Sequence, residues 1–275
     1  MKSITCKGQL ISLETPIIMG IINLTPDSFF DGGKYRDENS ILDQAALMDA
    51  EGATLIDLGA YSSRPGADDI TEEEELKRLL PVIALLMERF PKMLLSIDTF
   101  RAGVARRAVE AGAALINDIS AGKLDENMLP TVAELQVPYI MMHMRGTPQT
   151  MKTLTHYDDM VKEMLFYFSE RVAKARALGI NDLIIDPGFG FAKTIEQNFE
   201  LLQKLELFET LDLPLLAGLS RKSTIYKTLN LEPAEALNGT TVLNTIALLK
   251  GVSILRVHDV KQAIEAVKLL NKLPK

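Results

Sequence analysis

Asn23, Asp57, Asp98, Asn117, His143, Asp186, Ser220 with Arg221 and Lys222, and Arg256 with His258 each stand at or just past the end of a short apolar run. A carboxylate or amide at a buried strand end, as at Asp98, Asn117 and Asp186, can grip a flat heterocycle. A carboxylate facing an amino-imine edge makes two parallel charge-assisted hydrogen bonds. Arg64, Lys222, Arg256 and His258 are cations or potential cations drawn from different loops, as an oxyanion or phosphate ligand needs. Asn23 offers a hard oxygen to Mg2+, an ion that takes few protein ligands and keeps phosphate and water oxygens. Any one of these residues alone reads equally well as a helix cap or a loop tie. Asp57 and Asp118 are assigned that structural part. For Lys222 the plain alternative is a solvated lysine at a helix start, but Gly218 and Ser220 beside it favour the close approach of a ligand.

Other motifs carry less. Gly218 to Ser223 ends like a phosphate loop but lacks the glycine before the lysine, and Gly188-Phe189-Gly190 lacks the third glycine of a dinucleotide fingerprint. His143, His156 and His258 have neither H-x-x-x-H spacing nor cysteine partners, which argues against structural zinc. There is no G-x-S-x-G nucleophile elbow.

The elements that must position these side chains follow a strand–helix beat. The apolar runs are Ile17–Ile22, Thr54–Leu58, Met93–Ile97, Ala114–Ile116, Tyr139–Met142, Leu183–Ile185, Leu215–Ala217 and Ile254–Val257. Continuous apolar runs bounded by turn residues suit parallel strands buried on both faces. Val161, Leu165, Phe168, Val172 and Ala175 recur at helical steps, with Gly179 as a stop. Thr71 with Glu74 predicts a capping box, and Pro81 predicts a kink inside that helix. The sum is an α/β fold, a (β/α)8 TIM barrel over residues 1–275 as one domain, with Met1 to about Leu13 as a hairpin plugging its bottom. A doubly wound sheet is the alternative. In a barrel the chemistry sits where the strands end, which is where the polar residues are. The segments Thr25 to Gly33 and Ser62 to Gly66 are long for such loops and read as lids, with Phe29 and Phe30 anchoring the loop or covering a substrate.

Composition agrees. At 275 residues, 47% of them apolar, the chain buries a large core without disulfide staples, and the one cysteine, Cys6, suits a reducing compartment. The net charge of -7 and scattered basic residues argue against nucleic acid. No secretory signal opens the chain, and apolar stretches such as Leu79 to Met87 are too short for a membrane span. A cytoplasmic protein is expected.

Together the motifs resemble dihydropteroate synthase. They are Met19 to Phe29, Ser62 to Gly66, Ser96-Ile97-Asp98-Thr99, Ile116-Asn117-Asp118, Met142 to Pro148, Asp186 to Phe191, Gly218 to Ser223 and Arg256 to Val260. The resemblance implies a transferase of folate biosynthesis that joins p-aminobenzoate to 6-hydroxymethyl-7,8-dihydropterin pyrophosphate by a dissociative substitution. Products are 7,8-dihydropteroate and pyrophosphate. Carried over motif by motif, Asp98, Asn117, Asp186 and Lys222 hold the pterin, with Met141 packed near it and Arg256 stacked on it. Asn23, Ser63, Arg64, Arg256 and His258 bind pyrophosphate; Ser63, Pro65, Phe191, Ser220 and Lys222 frame the aminobenzoate. Asp98, Asp186, Lys222 and Arg256 carry the catalysis, and Mg2+ sits on the pyrophosphate near Asn23 and Asp27. A homodimer and sensitivity to sulfonamides are also implied.

One stretch departs from the family pattern. Where Gly-Glu-Ser-Thr-Arg-Pro is common, this chain reads Ala60-Tyr61-Ser62-Ser63-Arg64-Pro65. Ser63 keeps the hydroxyl; Tyr61 leaves open what the second loop packs against. A pterin-dependent methyltransferase barrel shares the pterin-gripping acids but has no need of the cation set, and a silent pterin-binding paralogue is the third possibility.

Overall fold

The computed structural model describes residues 2–24, 38–61 and 70–274. The chain opens with an antiparallel hairpin, β1 (Ser3–Cys6) and β2 (Gln9–Ser12), turned by Lys7 and Gly8, both at positive φ. The apolar runs then form β3 (Ile17–Asn23), β4 (Leu55–Gly59), β5 (Leu95–Asp98), β6 (Leu115–Asp118), β7 (Tyr139–Met142), β8 (Leu183–Asp186), β9 (Leu216–Ala217) and β10 (Ile254–Val257). They pair in parallel in the order β8-β7-β6-β5-β4-β3-β10-β9. A parallel bridge between Ile185 and Leu215 closes the ring. The expected barrel and its hairpin are both present.

Helices follow the strands: α1 (Glu38–Glu51), α2 (Glu72–Arg89), α3 (Ala102–Glu110), α4 (Met128–Leu135), α5 (Met160–Ala177), α6 (Ile195–Gln203), α7 (Ser223–Leu229), α8 (Leu237–Leu249) and α9 (Val260–Leu270). Helix α5 ends before Gly179, whose φ of 84° no other residue adopts cheaply. One local expectation needs correction. Thr71 Oγ1 accepts from the Glu74 amide at 3.2 Å, but the Glu74 carboxylate turns to Arg78 at 2.9 Å, so only half of the capping box forms. Pro81 lies inside the eighteen-residue helix α2, as expected. Among the described residues no helix is long and apolar enough to cross a membrane.

Strand alternation sorts the side chains into an outer and an inner set. Ile18, Leu58, Ile97, Ile116, Met141, Ile185 and Val257 face outward and pack with the helices. Met19, Leu55, Leu94, Leu115, Ile140, Ile184, Leu216 and Ile254 form the inner floor, sealed by Ile4, Cys6 and Leu13 of the hairpin region. Burying each such side chain is worth roughly 1.5–3 kcal/mol, so the plug and the inner floor stabilise one another at the barrel bottom. Two residues further along, the inner positions of five of the eight strands turn polar: Asp57, Ser96, Asn117, Asp186 and Arg256. The site is therefore the upper layer of the barrel interior.

Candidate active site

Arg256 organises that layer. Its Nε donates to Asp57 Oδ2 at 2.5 Å and its Nη2 to Asp98 Oδ2 at 2.8 Å, joining β10 to β4 and β5. Asp57 is fully buried, and it also accepts from Ser96 Oγ at 2.5 Å and Asn117 Nδ2 at 3.2 Å. The structural part assigned to Asp57 therefore differs from the one expected: it caps no helix and anchors the guanidinium instead. Asp118 does tie its loop. It accepts from Ser120 N at 2.7 Å, Gly122 N at 2.6 Å and Tyr139 Oη at 2.6 Å.

Across the barrel, Asp186 ends β8 and accepts from the Gly188 amide at 2.7 Å. The Lys222 ammonium donates to the Phe189 carbonyl and lies 4.8 Å from the Phe191 ring centre. Gly218 sits between Lys222 and Arg256: a Cβ there would lie 3.7 Å from Lys222 Nζ and 4.0 Å from Arg256 Cβ. Ser220 Oγ stands 3.1 Å from His258 Nδ1 and accepts from the His258 amide at 3.2 Å. Arg221 turns away to a two-pronged pair with Asp259, at 2.9 and 2.8 Å. On β3, Asn23 faces the same space, since a methyl on Gly59 would lie 3.7 Å from Asp98 Oδ2 and 3.8 Å from Asn23 Oδ1.

Met141 is corrected. It is fully buried in the outer core among the helices, whereas Met142 is the register partner of Asp186 and would touch a Cβ on Gly188 at 3.2 Å. Consecutive strand residues point to opposite faces, so an assignment one residue off lands on the wrong side of the wall. His143, next in line, lies buried between Lys193 and the Tyr167 ring, whose centre is 4.9 Å away. Beyond it is a separate cavity of 330 Å³ lined by Lys123, Arg145, Glu163, Phe166 and Tyr167; none of Asp98, Asp186, Lys222 or Arg256 lines it. Asp27, Ser63, Arg64, Pro65, Phe29 and Phe30 lie outside the described residues. Tyr61, at the entry to the second loop, packs edge-on against Phe100 at 5.1 Å and takes a hydrogen bond from Gln149 Nε2 at 3.0 Å. That loop therefore starts from a fixed aromatic contact with the segments following β5 and β7.

The electrostatics fit a site built to meet charge. Burial pushes the Asp98 carboxyl up to about 7; Arg256 opposes the rise and Asp57 adds to it. Burial raises Asp186 too, against the pull of Lys222. Burial brings the Lys222 ammonium down to about 8, with Asp186 resisting. Burial also opposes the charge on Arg256, but Asp57 and Asp98 outweigh it and hold the guanidinium protonated. Two acids and two cations are thus gathered, buried, at the upper end of the barrel interior. Among the described residues no group of three or more His, Cys, Asp and Glu could cage a metal. A single amide oxygen at Asn23 is instead the donor chemistry of Mg2+ shared with a phosphate ligand and water.

The family model described as "Pterin binding enzyme" matches residues 19–258. The chain is 42% identical over 266 residues to dihydropteroate synthase of Escherichia coli, covering 96% of this chain and 94% of that protein. A Yersinia pestis dihydropteroate synthase structure with a sulfonamide drug complex superposes with a TM-score of 0.92 at 40% identity, covering 98% of each chain. The Xanthomonas albilineans dihydropteroate synthase structure with 4-aminobenzoic acid gives 0.91 at 39% identity, covering 99% of each. With the fold, the inner polar layer and these matches in agreement, the chain belongs to the dihydropteroate synthase family of pterin-binding enzymes.

Proposed function

We propose that the chain condenses p-aminobenzoate with 6-hydroxymethyl-7,8-dihydropterin pyrophosphate, releasing 7,8-dihydropteroate and pyrophosphate. The observation that carries this reading is the pair of acid–cation sets, Asp98 with Arg256 and Asp186 with Lys222, at the C-terminal ends of barrel strands. The 4-aminobenzoic acid of the Xanthomonas structure and the sulfonamide of the Yersinia structure support the choice of nucleophile.

In this account Asp98, Asn117, Asp186 and Lys222 grip the edge of the pterin, Met142 packs near it, and Arg256 lies over the ring. Arg256, His258, Asn23, Ser63 and Arg64 take the pyrophosphate. Phe191, Ser220, Lys222, Ser63 and Pro65 frame the aminobenzoate. Asn23 and Asp27 would hold Mg2+, which would supply positive charge against the leaving pyrophosphate. The substitution runs dissociatively: the methylene carbon–oxygen bond breaks first, the electron-rich pterin spreads the positive charge, and the arylamine then attacks. Asp98 and Asp186 stabilise that charge, and the cations stabilise the departing one. An arylamine attacks as the free base, so no general base is needed before attack; the proton on the new ammonium nitrogen then passes to water or to the released pyrophosphate.

The exposed Val242, Leu249 and Leu269 on α8 and α9 support a homodimer, which a monomeric sedimentation profile would contradict. The lone, buried thiol of Cys6 suits a cytoplasmic enzyme; export to an oxidising compartment in cell fractionation would contradict that. The activity is tested by supplying both substrates with Mg2+. Dihydropteroate and pyrophosphate should appear together, and EDTA should abolish both until Mg2+ is restored. Ligand binding without product overturns the proposal, and full activity in EDTA overturns the part given to the metal.

A further inference from the structure

Lys193 is a buried lysine that the mechanism above does not use. It closes a stretch in which Gly188, Gly190 and Ala192 take positive φ values of 71°, 82° and 48°. For alanine that backbone is strained, so something must hold it. The alternating turns gather three carbonyls on one point. Lys193 Nζ donates to Pro187 O at 2.9 Å, Gly188 O at 2.9 Å and Phe191 O at 3.0 Å. An ammonium has three donors, and all three are satisfied. His143 Nδ1 faces the same ammonium at 3.4 Å. From the other side, Asn198 Oδ1 accepts from the Gly190 amide at 2.7 Å.

The clamped stretch is the one that orients two site residues. The Gly188 amide sits on Asp186 Oδ1, the Phe189 carbonyl receives Lys222 Nζ, and the Phe191 ring lies 4.8 Å from that ammonium. A Cβ on Gly190 would meet Lys222 Cδ at 3.3 Å, so backbone and lysine stem are in register. A Cβ on Gly188 would run into the His143 carbonyl, which leaves the stretch little room to shift.

We propose that Lys193, seconded by Asn198, is a positioning residue for the condensation: its ammonium fixes the Pro187–Phe191 backbone, and through it the Asp186 carboxylate, the Lys222 ammonium and the Phe191 ring. The inference rests on the proposed condensation. Burial pushes the Lys193 ammonium down to about 7, opposed by the Asp186 carboxylate, and the three carbonyls are placed to take its three N–H donors in the charged form. A purely scaffolding lysine would affect melting and nothing else.

Lys193→Met keeps the length and apolar stem while removing every donor. Assayed well below its melting transition, it should lose about 10²-fold in kcat/KM, with kcat lowered and the KM for the dihydropterin pyrophosphate raised. Asn198→Ala, which leaves the ammonium in place, should show the same pattern at about tenfold. Wild-type values of kcat and both KM in folded Lys193→Met overturn the inference. If that variant does not fold, wild-type kinetics in Asn198→Ala overturn it. A wild-type chain that makes no dihydropteroate overturns the proposed condensation, and this inference with it, whereas an active wild type beside an equally active Lys193→Met overturns this inference alone.

Discussion

Lys222→Ala is expected to lower kcat/KM by about 10²–10³-fold, the loss typical of removing one preorganised electrostatic group from a dry site. Lys222 carries this weight because it stands where two subsites meet: beside Asp186, over the Phe191 ring, and against the glycine backbone at 190 and 218. The fold should persist. The ammonium is already disfavoured by burial; the Phe189 carbonyl loses a hydrogen bond, and Asp186, whose carboxyl burial already pushes up, loses a nearby positive charge. The melting temperature should therefore change little. The pH profile of kcat/KM checks the assignment independently. In the wild type, Asp98 takes up a proton as pH falls through about 7, and Lys222 loses one as pH rises through about 8. The account needs the carboxylate to balance the pterin cation and the ammonium to hold substrate, so activity should fall on both sides of that window. Lys222→Ala should flatten the alkaline limb and keep the acid limb. Near-normal kinetics, or an unchanged alkaline limb, would remove Lys222 from the site.

Arg256→Met should damage stability and activity together. The guanidinium is the joint partner of two carboxylates, one of them fully buried, and nothing else near them is a direct cation partner among the described residues. Breaking a buried pair from one side costs roughly 3–5 kcal/mol, because a charge is left uncompensated. Urea unfolding of the variant should show a loss of that size. Adding Asp57→Asn removes the stranded charge, so the double variant should regain most of the stability and none of the activity. Recovery of activity in the double variant would show that Arg256 serves only to neutralise Asp57. A single variant as stable as the wild type would mean that the two ion pairs contribute nothing to the fold.

The architecture was legible because each parallel strand is a short run of Ile, Leu and Val, and all eight reappear within a residue or two of their expected ends. The polar strand ends were legible for the same reason: they break an apolar pattern. What that pattern hides is which way a side chain points. A strand buried on both faces shows no alternation, so Met141 and Met142 look equivalent until the register with Asp186 separates them. Asp57 resembled a cap because its partner, Arg256, is 199 residues away. Lys193 gave no signal at all. Its partners are backbone carbonyls, which every residue has, and they meet only because the chain turns through three residues at positive φ. Tyr61 read as a departure from the family pattern, and its contacts with Phe100, Arg101 and Gln149, all distant in the chain, give it a place.

The most direct test of the central claim is a single-turnover comparison of dihydropterin pyrophosphate carrying CH2 or CD2 at its reacting methylene, with p-aminobenzoate and Mg2+ present. If pyrophosphate leaves before the amine attacks, the methylene carbon flattens and loosens in the transition state. Dihydropteroate should then form measurably more slowly from the deuterated substrate. An isotope effect of unity or below would contradict the dissociative route, and no dihydropteroate from either substrate would contradict the proposed function itself.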